Sequence, residues 1–307
     1  FITAHLELAQ IYENANDLAG QEKAYRSLIK LLPEENKLKI RLALLYLEAG
    51  RKAEADKAFR EAVASADDPV AAHVQIGQIH IERAADKEAA REFEAALKID
   101  PANDRALYLL SWILLKQSSE GKTKGSRELA DRANKLLRDI SGESEVYTDA
   151  RLMLVASLEN EDGGESRLEE PLRLISEAVE VRPDQPRLRI AQALLIEETG
   201  DLKKAREVML QASGLFPEEA EIKFRLGLLE DKLDNKTAAL AAVREAARLD
   251  PEDIRPQIAE AFIIEEMGDL KKAREMMAEV AKKFPSEAEV KFRLGVLDDK
   301  LEDKKAA

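Results

Sequence analysis

Glu197-Glu-Thr-Gly-Asp-Leu-Lys-Lys-Ala-Arg-Glu-Val-Met209 returns almost letter for letter as Glu265-Glu-Met-Gly-Asp-Leu-Lys-Lys-Ala-Arg-Glu-Met-Met277, 68 residues later. Phe216 to Leu233 returns in the same way as Phe284 to Leu301. Halving the interval to 34 brings most of the chain into phase: a small residue is followed by a second 12 later, a third 7 after that and a proline 5 further on. Gly77, Ala89, Ala96 and Pro101 obey this spacing, as do Ala193, Ala205, Ala212 and Pro217, and Gly227, Ala239, Ala246 and Pro251. Ala261, Ala273, Val280 and Pro285 differ at one slot, and Ala43, Ala55 and Ala62 are followed by a two-residue insertion before Pro69. Gly295 and Ala307 open a further unit. A fixed period outranks the two-domain estimate that 307 residues would suggest, because each unit then contacts only its neighbours.

Within one period the apolar residues recur at three and four. Phe224, Leu226, Gly227 and Leu229 mark a first amphipathic helix, and Ala239, Leu240, Val243, Ala246 and Leu249 a second. No segment alternates in twos as a half-buried strand would. Asp234-Asn235 reads as the tight turn between the helices, and Gly50, Gly200 and Gly268 stand at the matching place, where positive φ costs a glycine little. Small side chains at the spaced slots let helices cross closely. The expected class is all-α.

Together these features resemble the tetratricopeptide repeat, whose helix pair has a Leu-Gly or Leu-Ala step, two spaced alanines and a terminal proline; Leu226-Gly227, Leu294-Gly295 and Ile76-Gly77 supply that step. The resemblance implies a right-handed superhelical α-solenoid of about eight to nine hairpins. A soft division is expected between residues 1–141, holding repeats 1 to 4, and 142–307, holding repeats 5 to 9 with the last truncated. The first repeat is divergent, with Gln21 and Leu28 where alanines are expected, and the fourth has an insert over 118–126 and no closing proline. The fifth has a loop from Glu159 to Ser166 and Pro171 inside its second helix, which places that helix's start near Glu170.

Composition narrows the function. Charged residues make up 36% against 45% apolar, enough to bury a core and coat it in solvated side chains. The net charge of -13 disfavours nucleic acid and anionic bilayers. Lys116, Lys122, Lys124, Arg127, Arg132, Lys135 and Arg138 form one basic segment, which reads as an exposed loop and helix face. With no cysteine there is no disulfide or thiol chemistry. No run approaches a membrane helix and no secretion signal opens the chain, so no membrane insertion is expected of this segment. Phe1 and Ala307 look like cuts in something longer, so the compartment stays open between bacterial cytoplasm and periplasm.

Catalysis, cofactors and metals have little support. Of His5, His73 and His80, the last fills a slot usually held by tyrosine and reads as a packed ring. Gly121-Lys122-Thr123 lacks the earlier glycine and strand of a phosphate loop, and Gly163-Gly164-Glu165 lacks the surrounding sheet of cyclic-dinucleotide synthases. Asn235-Lys236-Thr237 matches a glycosylation acceptor by a pattern common by chance.

The resemblance also implies a binding surface. In such arrays the first helices line a groove, and the residues three before and one after the small slot point into it. These are Leu6 with Gln10, Ile40 with Leu44, Val74 with Gln78, Tyr108 and Trp112 around one slot, Met153, Ile190 with Leu194, Phe224 with Leu228, Ile258 with Phe262, and Phe292 with Val296. Glu197, Glu198, Asp231, Glu265 and Glu266 would form an acidic border. No unit has the Lys and Asn pair with which chaperone-binding members grip a C-terminal carboxylate. The expected function is a non-enzymatic scaffold or adaptor for a protein or peptide with apolar anchors and basic flanks. The alternatives are a homo-oligomer through uncovered terminal repeats, or a substrate-recruiting part of a larger bacterial envelope enzyme or export complex.

Overall fold

The structure, a computed structural model, describes residues 2–121, 124–159 and 167–306, and among these the secondary structure is helical. Contacts divide the chain into two compact units, Phe1–Met153 and Leu154–Ala307. In the first, α1 (Ile2–Asn14) pairs with α2 (Leu18–Leu31), α3 (Asn36–Glu48) with α4 (Lys52–Ala64), α5 (Pro69–Glu82) with α6 (Asp86–Ile99), and α7 (Asp104–Ser119) with α8 (Lys124–Arg138). The division between these contact units falls inside α9 (Tyr147–Glu159). In the second unit α10 (Glu169–Val181) precedes the pairs α11 (Pro186–Glu198) with α12 (Leu202–Leu215), α13 (Ala220–Lys232) with α14 (Lys236–Leu249), and α15 (Ile254–Glu266) with α16 (Leu270–Lys283). α17 (Ala288–Ala306) packs on α16. Within each unit a hairpin also packs on the next, which is the all-α solenoid arrangement the period implies.

The turn inside each hairpin repeats as a backbone conformation more faithfully than as a sequence. Positive φ occurs at Asn16, Gly50 and Ala84 in one unit and at Gly200, Asp234 and Gly268 in the other, each 34 residues from the next. The Ala84 N–H donates to the Ile81 carbonyl at 2.9 Å and the Ala85 N–H to His80 at 2.8 Å. The same two bonds recur at Gly50/Arg51 and at Asp234/Asn235. This left-handed cap satisfies carbonyls that the helix end would otherwise leave unpaired. Asp17, Asp201 and Asp269 then cap the following helix, each accepting from a backbone N–H three residues on.

Proline separates hairpins. Leu32, Asp100, Arg182, Phe216, Asp250 and Phe284 end the second helices with ψ from 68° to 94°, and each precedes a proline. The proline ring excludes the helical region for the residue before it. Pro69 differs, standing in the first turn of α5, where its missing N–H costs nothing. Pro171 is the third residue of α10, close to the start expected from sequence.

The small slots are contact points. A Cβ built on Gly77 would lie 2.5 Å from the Phe93 ring, and one on Gly227 2.6 Å from Val243 Cγ1 and 3.2 Å from the Val243 backbone N. Ala55, Ala62, Ala89, Ala96, Ala205, Ala212, Ala239, Ala246 and Ala273 have no exposed surface. Ser111 holds the slot in α7, its hydroxyl donating to the Leu107 carbonyl at 2.7 Å. In the divergent first hairpin Leu28 is fully buried and Gln21 nearly so.

In the fourth hairpin the expected insert adjoins both helices. α7 continues to Ser119 and α8 opens at Lys124, so most of 118–126 is helical, with 122–123 outside the described residues. The expected loop from Glu159 to Ser166 likewise falls outside them after Glu159, together with Gly163-Gly164-Glu165.

Candidate functional site

The spacing that stacks one hairpin on the next fixes which side chains meet. Residue i of a second helix faces residue i+24 of the following first helix: Glu22 accepts from the Tyr46 hydroxyl at 3.0 Å, Arg206 pairs with Glu230 at 2.6 Å and Arg274 with Asp298 at 2.8 Å. His80 occupies this slot opposite Asp56. It is buried, edge-on to Phe59 at 5.4 Å, and burial pushes its pKa below the ordinary 6.5 against the pull of Glu92, Glu88 and Asp56. The ring is a packing element, as its register suggests.

His80 and His73 line a concavity of about 390 Å³ with Lys52, Arg91 and Glu92. His73 Nδ1–H donates to Glu92 Oε2 at 2.6 Å. No hydroxyl or thiol side chain lines this cavity for the pair to activate.

The groove positions fall into three groups. Ile40, Val74 and Phe224 are at most 7% exposed and belong to the hydrophobic cores. Leu44, Tyr108, Ile190, Leu228, Ile258 and Phe262 are half-buried. Trp112, Leu194 and Phe292 are exposed, at 36%, 37% and 70%. Phe224, for example, packs with Ala239, Val243 and Ala246 of α14 and with Ile263 of α15.

In the unit Leu154–Ala307 two of these positions, Leu194 and Leu228, meet in a cleft of about 500 Å³ between α11 and α13, lined also by Leu202, Glu197, Glu198, Arg225 and Lys232, whereas Ile190, Phe224, Ile258, Phe262 and Phe292 do not line it. Leu202 was not anticipated, although its place at the start of each second helix repeats. Much of the acidic border is paired with the chain's own cations. Lys232 pairs with Glu197, Arg167 with Glu198 and Lys300 with Glu265. Asp231 and Glu266 share Lys236, which holds Asp231 at 2.8 Å; hydrogen bonds to both carboxylates raise its pKa well above the lysine range. Arg255 lies over the Phe224 ring at 5.1 Å and Arg293 over Phe262 at 5.4 Å. Among the described residues no three His, Asp or Glu side chains converge as a metal cage, and no helix is long and apolar enough to cross a membrane.

Two family models, each described as the tetratricopeptide repeat, match residues 40–104 and 191–254, and 257–286. The human protein O-mannosyl-transferase TMTC3 is 29% identical over 145 residues, which is 45% of this chain and 16% of that protein. The chain thus spans about a sixth of that relative's length. Among solved structures, PilF of Pseudomonas aeruginosa superposes with a TM-score of 0.52 at 17% identity, over 74% of this chain and 96% of PilF. TTC0263, a thermophilic protein of Thermus thermophilus, superposes with a TM-score of 0.44 at 22% identity, over 64% of this chain and 98% of its own.

Proposed function

We propose, on the premise that this chain belongs to the tetratricopeptide-repeat family, that it is a non-enzymatic adaptor whose first helices hold a polypeptide partner. Arrays of this family serve generally as protein-interaction scaffolds, and the finer reading rests on the cleft at Leu194. There an apolar floor stands open to solvent between ion-paired walls, the kind of surface that takes an apolar side chain from a partner. The partner's flanks are read as lysine or arginine because, next to this cleft, Asp231 and Glu266 share the one cation Lys236. The non-enzymatic reading is supported by the family's general use as a scaffold and by the ion-paired walls of the cleft.

The test is affinity capture with the intact chain, identification of the captured protein, and titration of that purified partner against the parent, Leu194→Asp and Phe262→Asp. A loss of at least tenfold in either variant, with unchanged helical content, supports the groove. Undiminished affinity in both removes it. The match to part of a transferase motivates a second reading, in which the array recruits substrate for a catalytic domain elsewhere in a longer protein. A captured protein that is itself glycosylated or exported would favour that reading. A third, self-association, is motivated by exposed Leu6 and Ile11 on α1 and Phe292 on α17, and concentration-dependent mass in solution decides it.

A further inference from the structure

The 68-residue duplication repeats the residues that line the cleft as well as those of the scaffold. Leu194, Leu202, Leu228 and Arg225 correspond to Phe262, Leu270, Val296 and Arg293, all aliphatic or aromatic for apolar and arginine for arginine. The paired wall is copied too, Glu197–Lys232 becoming Glu265–Lys300. The intervening register, between α13 and α15, is different. Leu202 and Leu270 are replaced there by Lys236, whose ammonium is drawn between Asp231 and Glu266. One cation against two carboxylates leaves this middle register with a surplus negative charge. Apolar subsite, acidic step and apolar subsite therefore follow one another along α11, α13, α15 and α17.

We propose that the unit Leu154–Ala307 binds a polypeptide segment bivalently, through two equivalent apolar anchor side chains separated by a lysine or arginine that pairs with Asp231 and Glu266. The inference rests on the groove reading above and adds the ligand's own periodicity. Neighbouring helices pack at about 8–10 Å, so the two subsites lie roughly 20 Å apart, two helix steps. An extended strand rises about 3.3 Å per residue, which places the anchors about six residues apart. Two linked contacts of this kind raise affinity by about 100-fold or more over either alone.

The probe is a displayed library of unstructured 16-residue peptides, selected on the full chain and resynthesised with a fluorophore for anisotropy. The expected selection is a leucine- or phenylalanine-sized pair about six residues apart with a basic residue between. Replacing one anchor by serine should weaken binding about 100-fold. Leu194→Asp and Phe262→Asp should each reduce a two-anchor peptide to single-anchor affinity, and Leu194→Ala and Phe262→Ala repeat the comparison without introducing charge. Peptides sensitive to Leu194→Asp and indifferent to Phe262→Asp and Phe262→Ala would overturn bivalency while leaving the groove reading intact. Peptides indifferent to all four variants would overturn both. A chain that dimerises through these positions, with dimerisation abolished by the same substitutions, would overturn the peptide ligand in favour of a second copy.

Discussion

Ala84 adopts the same left-handed backbone as Gly50, with φ of 55° against 71°, although it carries a side chain that this region disfavours. Both follow the cap of a first helix and both close the same pair of hydrogen bonds. The turn is thus imposed by the stack of hairpins and tolerates a strained residue.

Ala84→Gly should therefore stabilise the chain by about 1 kcal/mol, since an L residue in this region costs about that much. Gly268→Ala should destabilise it by a similar amount, and no neighbour stands within 4 Å of the added carbon, so the loss would be backbone strain alone. Denaturant titration of both variants checks the signs; equal midpoints would contradict the assignment.

Gly227 and Gly295 share a register and differ in surroundings. A Cβ at Gly227 collides with Val243, whereas one at Gly295 meets nothing within 4 Å. Gly227→Ala should cost about 1–3 kcal/mol by overpacking, and Gly227→Leu at least as much. Gly295→Ala should raise stability by about 0.5–1 kcal/mol through helix propensity. Thermal melts that moved the same way for both would refute the contact.

His80 predicts a pH dependence. Its folded-state pKa lies below 6.5, so above that value the neutral ring is common to folded and unfolded chains and stability is complete. As pH falls through 6.5 the unfolded ring takes up a proton that the folded one, against Phe59, resists, and stability declines. Asp56, Glu88 and Glu92 soften the decline, while Lys52 opposes them. The melting temperature should drop between about pH 7.5 and 5.5, and His80→Tyr, the residue found at the Tyr46 register, should flatten that slope with His73 left in place. An unaltered slope would show that another group titrates.

Lys236→Met should cost about 1 kcal/mol, because Asp231 and Glu266 would be left facing each other. The raised lysine pKa means the contribution is complete below the ordinary 10.5 and fades only as pH rises through the higher folded value. The deficit measured by urea unfolding should shrink in molar salt, where exposed carboxylates are screened.

Much of this fold was legible in the chain, since glycines, alanines and prolines recur where backbone geometry or close crossing demands them. Pro251 and Pro285 marked helix ends without reference to anything distant. Ala84 gave no such sign, because alanine has no preference for the conformation it adopts. The extension of α7 through Ser119 was hidden for the opposite reason: Ser118 and Ser119 suggest a loop, yet Ser118 donates to the Ser126 carbonyl and Ser119 to Lys116. At the candidate site the period located the first-helix positions, and their exposure was out of reach. Phe224 and Leu228 read alike in sequence, and only the approach of neighbouring helices buries the first more than the second. The acidic border was visible as composition, whereas its pairing depends on partners 30 to 35 residues away, as between Glu266 and Lys236 or Glu197 and Lys232.

Because Glu197–Lys232 and Arg206–Glu230 are reproduced by Glu265–Lys300 and Arg274–Asp298, the two copies are interchangeable at their seams. Unequal crossover between the corresponding stretches of the coding sequence would lengthen or shorten the protein by a whole pair of hairpins, and every junction so formed would already exist in the parent. Span can in this way evolve in steps of two repeats without passing through a misfolded intermediate.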